Sequence, residues 1–545
     1  MRQKDWRQSV VYQIYPKSFN DTTGDGQGDL RGIIEKLDYL QFLGVDYLWL
    51  TPIYDSPMND NGYDIRDYYK VNTQFGSDED LRDLIDEAHK RNLKIMLDIV
   101  INHTSTEHHW FQEARKSKDN PYRDYYFFKS SSDGPPTNWE SKFGGNAWAY
   151  DEVTGEYYLH LFDITQADLN WENESVRHAL YDIVNYWIDF GVDGFRFDVI
   201  NLISKGEFRD SEKIGKEFYT DGPYVHEFLH EMNQHTFGNR DMMTVGEMSS
   251  TTIDHCIQYT HPERQELRSV FNFHHLKVDY QNGEKWTNQK FDLLQLKDIL
   301  MKWQMGIYEG GGWNAIFWCN HDQPRVVSRF GTDKDEVLRE RSAKTLAIVL
   351  HLLQGTPYIY QGEEIGMTDP HFTSIDQYRD VESLNAYQML IDSGLDDEAA
   401  LEILSQKSRD NSRTPMQWNA NEHAGFTTGT PWIDVAKNYR HINVASAINN
   451  PDSIFYTYKT LIALRHQKEI ITYGNIVPRY MEHAQLFVYE RQYKGERWLV
   501  IANMTNQKAQ LPSDIERKGA VIIQSGQLLD DYLEPYATIV MSIEN

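Results

Sequence analysis

Two cysteines in 545 residues, Cys256 and Cys319, are too few for a disulfide framework, and both sit in apolar stretches that suit a reducing compartment. No apolar run approaches the roughly 18 residues of a membrane span. Met1–Tyr12 carries charges at Arg2, Lys4, Asp5 and Arg7 and has no signal-length apolar segment. A cytoplasmic protein without membrane association is expected. Positive charge is also scarce: 54 Lys+Arg stand against 82 Asp+Glu, a formal net charge of −28. Nucleic-acid binding runs on clustered Lys and Arg that release counterions, and the chain has no dense basic stripe. A nucleic-acid partner is therefore excluded. A glycine-rich phosphate loop after an early strand is missing too, which argues against a dinucleotide-binding doubly wound sheet.

The chain is 40% hydrophobic and 25% charged, a globular balance. Its length exceeds one ordinary core unless that core is a large α/β barrel with additions. Apolar β-rich runs predict strands at Val10–Tyr15, Val45–Leu50, Lys94–Val100, Gly194–Val199, Met243–Glu247, Val270–Phe273, Ala315–Asn320 and Pro357–Tyr360. Helical patterns separate them, such as Leu30–Leu43, Asp78–Arg91, Ser175–Asp189, Val225–Phe237 and Glu336–Leu353. This alternation predicts a (β/α)8 barrel of the TIM type, formed by residues 1–103 and 174–470. Residues 104–173 are too long for a plain loop and read as a small domain inserted after strand three. A second irregular stretch is expected from Gly366 to Thr430. Residues 471–545 lose helical periodicity and read as a C-terminal antiparallel β-sandwich domain.

In such a barrel the active site is built at the C-terminal ends of the strands. Strand three ends in Asp98-Ile99-Val100-Ile101-Asn102-His103, and strand four contains Arg196-Phe197-Asp198. Strand five ends at Gly246-Glu247, strand seven runs into Asn320-His321-Asp322, and the loop after strand two carries Gly62-Tyr63-Asp64. Arg196 and Asp198, two apart on a strand, share a face. Any one of these alone fits a helix cap or a structural ion pair. Their occurrence at matching levels of one barrel points instead to a shared pocket of carboxylates beside one arginine. There one carboxylate stays ionised while its neighbours keep another protonated, the division of labour that glycosidic cleavage requires.

These segments resemble the sequence signatures of the α-amylase family, glycoside hydrolase family 13. The resemblance implies Asp198 as nucleophile, Glu247 as general acid/base and Asp322 as the group that grips the distorted sugar. It implies a substrate-binding set of Tyr63, Asp64, Asp98, His103, Phe162, Arg196, His321 and Arg409, with Arg196 orienting the nucleophile. The mechanism implied is retaining, with the carboxyls of Asp198 and Glu247 about 5–5.5 Å apart. Within the family, Val11-Tyr12-Gln13-Ile14-Tyr15-Pro16 and Arg413-Thr414-Pro415-Met416-Gln417-Trp418 are similar to the branch of oligo-1,6-glucosidases and trehalose-6-phosphate hydrolases. Segments such as Gly246-Glu247-Met248-Ser249-Ser250 and Phe273–Tyr280 resemble the second group. The implied substrate is a phosphorylated disaccharide, trehalose 6-phosphate. The alternative is an oligo-1,6-glucosidase acting on unphosphorylated α-1,6-glucosides. A transglycosylase and a catalytically silent binding protein are the remaining rivals.

A dianionic substrate in so acidic a chain needs a focused basic cluster. Lys285 and then Lys277, after strand six, are the candidates, followed by Arg209 and Lys205. No cofactor is expected for catalysis. Asp21, Thr23, Asp25, Gln27 and Asp29 resemble half of a calcium loop, so a structural Ca²⁺ or Mg²⁺ is a candidate there, against a turn closed by Asx hydrogen bonds. A monomer is expected.

Overall fold

The computed structural model describes residues 5–543; Arg2 and Lys4 lie outside the described residues. Eight parallel strands form the centre: β1 Val11–Ile14, β2 Tyr47–Leu50, β3 Lys94–Ile99, β4 Gly194–Phe197, β5 Met243–Met248, β6 Ser269–Asn272, β7 Ala315–Ile316 and β8 Thr356–Tyr360. Their spatial order is β6-β5-β4-β3-β2-β1-β8-β7, and a parallel bridge from Val270 to Asn314 joins the two ends. The sheet is therefore a barrel and not an open doubly wound sheet. Strands buried on both faces explain the continuous apolar runs in the sequence.

The helices between strands start and stop on local signals. Ser77 and Asp80 form a capping box at the start of Asp78–Lys90, and Glu174–Phe190 ends on Gly191, whose φ of 114° suits only glycine. Inside the barrel an aromatic layer blocks the axis: Trp49, Phe271, Phe317 and Tyr358 meet at ring-centroid distances of 4.6 to 6.0 Å. Replacing Trp49 with Ala would cost about 3–5 kcal/mol by the usual penalty for a large buried ring. This layer closes the barrel below the strand ends, so any site above it has a floor.

Between β3 and β4 the chain leaves the barrel. His103–Ser105 pairs antiparallel with Gln166–Asp168 at the neck of the insertion, and Phe128–Lys129, Glu156–Leu159 and Trp148–Asp151 form its small sheet. The insertion's core of Trp139, Trp148, Leu159 and Leu161 also takes in Val199, Leu202 and Tyr219, so it packs on the segment that follows β4. The stretch from Gly366 to Thr430, expected to be irregular, instead holds helices at Val381–Asp392 and Asp397–Lys407. The first of these buries only Ser383, Ala386 and Leu390, too sparse a stripe to announce a helix in the sequence.

After Tyr473 the chain is all β. A five-stranded antiparallel sheet runs in the order Asn475–Arg479, Leu486–Tyr493, Glu496–Asn503, Thr538–Ile543, Gly519–Ser525. It shares a core with a three-stranded sheet, where Leu486, Val488 and Leu499 meet Ala509 and Leu533. This is the sandwich the sequence predicts.

Candidate active site

Strand register brings the charged residues together. Arg196 of β4 lies directly opposite Asp98 of β3, and Phe197 lies opposite Gly246 of β5. Asp198 and Glu247 therefore leave neighbouring strands at nearly one level. The Arg196 guanidinium, 1% exposed, donates through Nη1 to Asp98 at 2.6 Å and to Asp198 at 2.8 Å, and through Nη2 to Glu247. Three carboxyl groups thus share one fixed cation. Such an excess of acid in a buried site favours retention of a proton on one of them. Burial pushes the Asp198 carboxyl up to about 6, with Arg196 opposing the rise and Asp98 adding to it. At neutral pH Asp198 remains mostly ionised.

A chain of hydrogen bonds supports this centre. Gln13 Nε2 donates to His321 Nδ1 at 2.8 Å, which leaves the ring proton on Nε2, 2.7 Å from the Tyr63 hydroxyl. Tyr63 in turn donates to Asp98 Oδ2 at 3.0 Å, and the Tyr63 and His321 rings stack 5.2 Å apart. Burial lowers His321 to about 3 and also lowers His103, so both imidazoles are neutral and act through hydrogen bonds. Asp322 differs. Burial alone would raise its carboxyl, but His321, Arg409 and Arg413 outweigh that and hold it well below the usual range. Arg413 donates to it at 2.6 Å. After Asp198 the backbone turns sharply: β-branched Val199 has φ 35° and ψ 40°, a left-handed conformation unfavourable to such a residue. The insertion core packs around Val199 and holds it there, as strain at active sites usually requires.

A cavity of about 890 Å³ opens above this floor. Of the residues expected from the sequence, Asp198, Glu247, Asp322, Tyr63, His103, Phe162, Arg409, Lys277 and Lys285 line it. Asp98, Arg196 and His321 lie behind the lining and hold it in place. Asp64 departs from the expectation. It is fully buried away from the cavity, where its carboxylate accepts from Ser56 Oγ at 3.0 Å and from the N–H groups of Asn59 and Asp60 at 2.8 and 3.1 Å. Asp64 thereby shapes the turn that presents Asp60, and Asp60 is the residue that lines the cavity, 3.0 Å from Arg409 Nη2. Burial pushes Asp60 up to about 7 against the pull of Arg409. The sequence reading missed Asp60, although it sits in the turn-forming run Asn59-Asp60-Asn61-Gly62.

The basic candidates separate. Lys285 is bonded to Glu382 at 2.7 Å. Lys205 is buried against Asp168 at 2.8 Å, and Arg209 faces Glu207 at 3.3 Å, so neither is free for a ligand. Lys277 lines the cavity together with two lysines that the sequence reading passed over, Lys142 of the insertion and Lys216 after β4.

The calcium-like loop resolves as a turn. Asp21 accepts from the N–H groups of Thr23, Gly24 and Gly26 at 2.8 to 2.9 Å and from Thr427 Oγ1. Asp25 accepts from Gln27 N–H at 2.9 Å, the Gln27 side chain accepts from Gln74, and Asp29 caps the next helix through Gly32 N–H at 2.7 Å. These oxygens thus accept from backbone N–H groups and from the side chains of Thr427 and Gln74. Among the described residues no group of three or more His, Cys, Asp or Glu is placed to hold a metal.

The family description "Alpha amylase, catalytic domain" matches residues 13–474. The chain belongs to the α-amylase family. It is 58% identical to the trehalose-6-phosphate hydrolase of Bacillus subtilis (strain 168), a match spanning 98% of this chain and 97% of the relative. It is also 50% identical to the oligo-1,6-glucosidase of Bacillus cereus over 100% of both chains. The crystal structure of the trehalose-6-phosphate hydrolase of Bacillus licheniformis superposes with a TM-score of 0.94 at 55% identity, covering 99% of this chain and 100% of that one. Two catalytic specificities thus lie within reach of this one architecture.

Proposed function

We propose that this chain is a retaining α-glucosidase that hydrolyses trehalose 6-phosphate to glucose and glucose 6-phosphate. The observation that carries the chemistry is the single guanidinium of Arg196 bonded to both Asp198 and Glu247 at the closed end of a cavity. One guanidinium reaching two carboxyls keeps them near one another, which favours the close spacing of retaining enzymes over the wider inverting one. In the first step Asp198 attacks the anomeric carbon as Glu247 protonates the departing glycosidic oxygen, giving a covalent β-glucosyl intermediate. Water, deprotonated by Glu247, then displaces Asp198 and releases α-glucose. Asp322, held ionised by Arg409 and Arg413, accepts from sugar hydroxyls, and Tyr63 and Phe162 pack on the ring.

On this reading the terminal glucose sits at the closed end beside Asp198 and Glu247, and the second sugar with its phosphate faces the mouth. Likeness to trehalose-6-phosphate hydrolases at 58% and 54% identity supports that substrate. A cytoplasmic setting is supported by two buried, free thiols, Cys256 and Cys319. Among the described residues no helix is long and apolar enough to cross a membrane.

Incubation with trehalose 6-phosphate should yield one glucose and one glucose 6-phosphate per turnover, with the α-anomer of glucose appearing first by NMR. Initial β-glucose would overturn the retaining assignment. The second reading, an oligo-1,6-glucosidase, is favoured by the full-length match at 50% identity. Faster cleavage of isomaltose than of trehalose 6-phosphate would select it.

A further inference from the structure

Asn201 follows the nucleophile by three residues, in the turn Ile200–Leu202 that Val199 opens, and it is fully buried. Its side chain reaches across to the exit of the neighbouring strand, β5. Asn201 Oδ1 accepts from Ser249 N–H at 3.0 Å. Its Nδ2 donates to Ser250 O at 2.9 Å and to Asp221 Oδ1 at 3.1 Å. The amide oxygen and both amide protons are thus engaged, and turning the group over would set each atom against a like partner.

β5 pairs with β6 as far as Met248, so Ser249 and Ser250 are the first residues beyond the ladder. Both line the cavity, two and three places after Glu247. The amide takes over where strand pairing stops. It has an anchor of its own: Asp221 N–H donates to Asn201 O at 2.9 Å, and the Asp221 carboxylate also accepts from the Tyr259 hydroxyl at 2.5 Å. Tyr259 is fully buried on the helix Ile253–Thr260 that follows β5. Asp198 is held by other means, its N–H donating to Ile99 O at 3.0 Å and its carboxylate accepting from Arg196 at 2.8 Å. Glu247 shares that guanidinium, but the backbone after it is tied by Asn201. Without the amide, a buried N–H and a buried carbonyl lose their partner, a cost that movement of the strand end would relieve.

We propose that Asn201 is a positioning residue for the general acid: it fixes the end of β5 so that Glu247 stays within reach of the glycosidic oxygen while Asp198 attacks. The assignment rests on the retaining reading above. Retaining hydrolysis depends on two carboxyls kept close, and here one buried amide cross-links the exits of the two strands that carry them.

The test is Asn201→Leu, with kcat/KM measured on phenyl α-glucoside, whose leaving group needs a proton, and on α-glucosyl fluoride, whose leaving group does not. The phenyl glucoside value should fall about 10- to 100-fold and the fluoride value about three-fold or less, because only the first draws on general acid catalysis. Retained fluoride turnover also reports a folded floor. Asn201→Asp, which sets a second carboxylate beside Asp221, should show at least the same selective loss. Adding Asp221→Asn exchanges donor and acceptor across that contact and should recover part of it. If Asn201→Leu does not fold, the same pair of substrates on Asn201→Asp decides. Equal losses on the two substrates, or no loss on either, overturn the role of Asn201, and a double exchange no better than Asn201→Asp overturns the anchor through Asp221. β-Glucose as the first product of the wild type overturns the retaining reading itself.

Discussion

The floor and the mouth of the cavity use charge in opposite ways. At the floor every ionisable group is partnered: Arg196 holds three carboxyls, and Arg413 and Arg409 hold Asp322. At the mouth, Lys142, Lys216 and Lys277 line the cavity with no carboxylate in ion-pair distance among the described residues, although Glu140 and Glu284 line it too. The floor is organised before substrate arrives, so little rearrangement is needed as charge develops on the sugar. On the function proposed above, the paired charge at the floor serves the chemistry.

Four perturbations test this contrast. The largest effect should come from Asp198→Asn, which removes the nucleophile: kcat should fall by about 10⁴-fold or more, while calorimetric affinity for trehalose 6-phosphate stays within a few-fold. Normal turnover by that variant would break the floor assignment. Next, Arg196→Met leaves Asp98, Asp198 and Glu247 facing one another, and urea unfolding at neutral pH should show a loss of about 3–5 kcal/mol. Without the cation the folded-state carboxyl pKa values, already raised for Asp98 and Asp198, rise further above their unfolded values. The folded state then binds more protons, and stability should recover as the pH falls through those raised values. An unchanged urea midpoint would show that the guanidinium is not what holds the carboxyls together.

A smaller effect is expected from pH. With the Asp198 carboxyl near 6, kcat/KM on p-nitrophenyl α-glucoside should decline as the pH drops through that value, because protonation removes the nucleophile. A rate unchanged through that value would break the assignment. The smallest effect belongs to Lys285→Ala at the mouth. Because Lys285 is paired with Glu382, kcat on the same neutral glucoside should change by about three-fold or less, in line with the modest worth of a partly exposed ion pair. A larger drop would extend the chemistry from the floor to the mouth and erase the contrast.

Much of the floor is readable in one dimension. A carboxylate or arginine at the end of an apolar strand stands out, and the two-residue period sends Arg196 and Asp198 to one face. The barrel is legible for the same reason, since both its strands and its helices repeat with fixed periods. The helix at Val381–Asp392 escaped because its apolar stripe is thin. Asp60 escaped because it shares a loop with Asp64, and only hydrogen bonding tells the residue that shapes the turn from the one it presents.

The order of the strands, the aligned carboxylates and the family they signify follow from the sequence alone, because local periodicity and strand ends encode them. Which lysines meet at the mouth was decided by tertiary structure. Lys142, Lys216 and Lys277 share no local pattern, and nothing near Lys285 in the chain reveals that Glu382, 97 residues away, neutralises it. Electrostatic partnership depends on distance in space, and between loops that distance is set only when the insertion docks on the barrel.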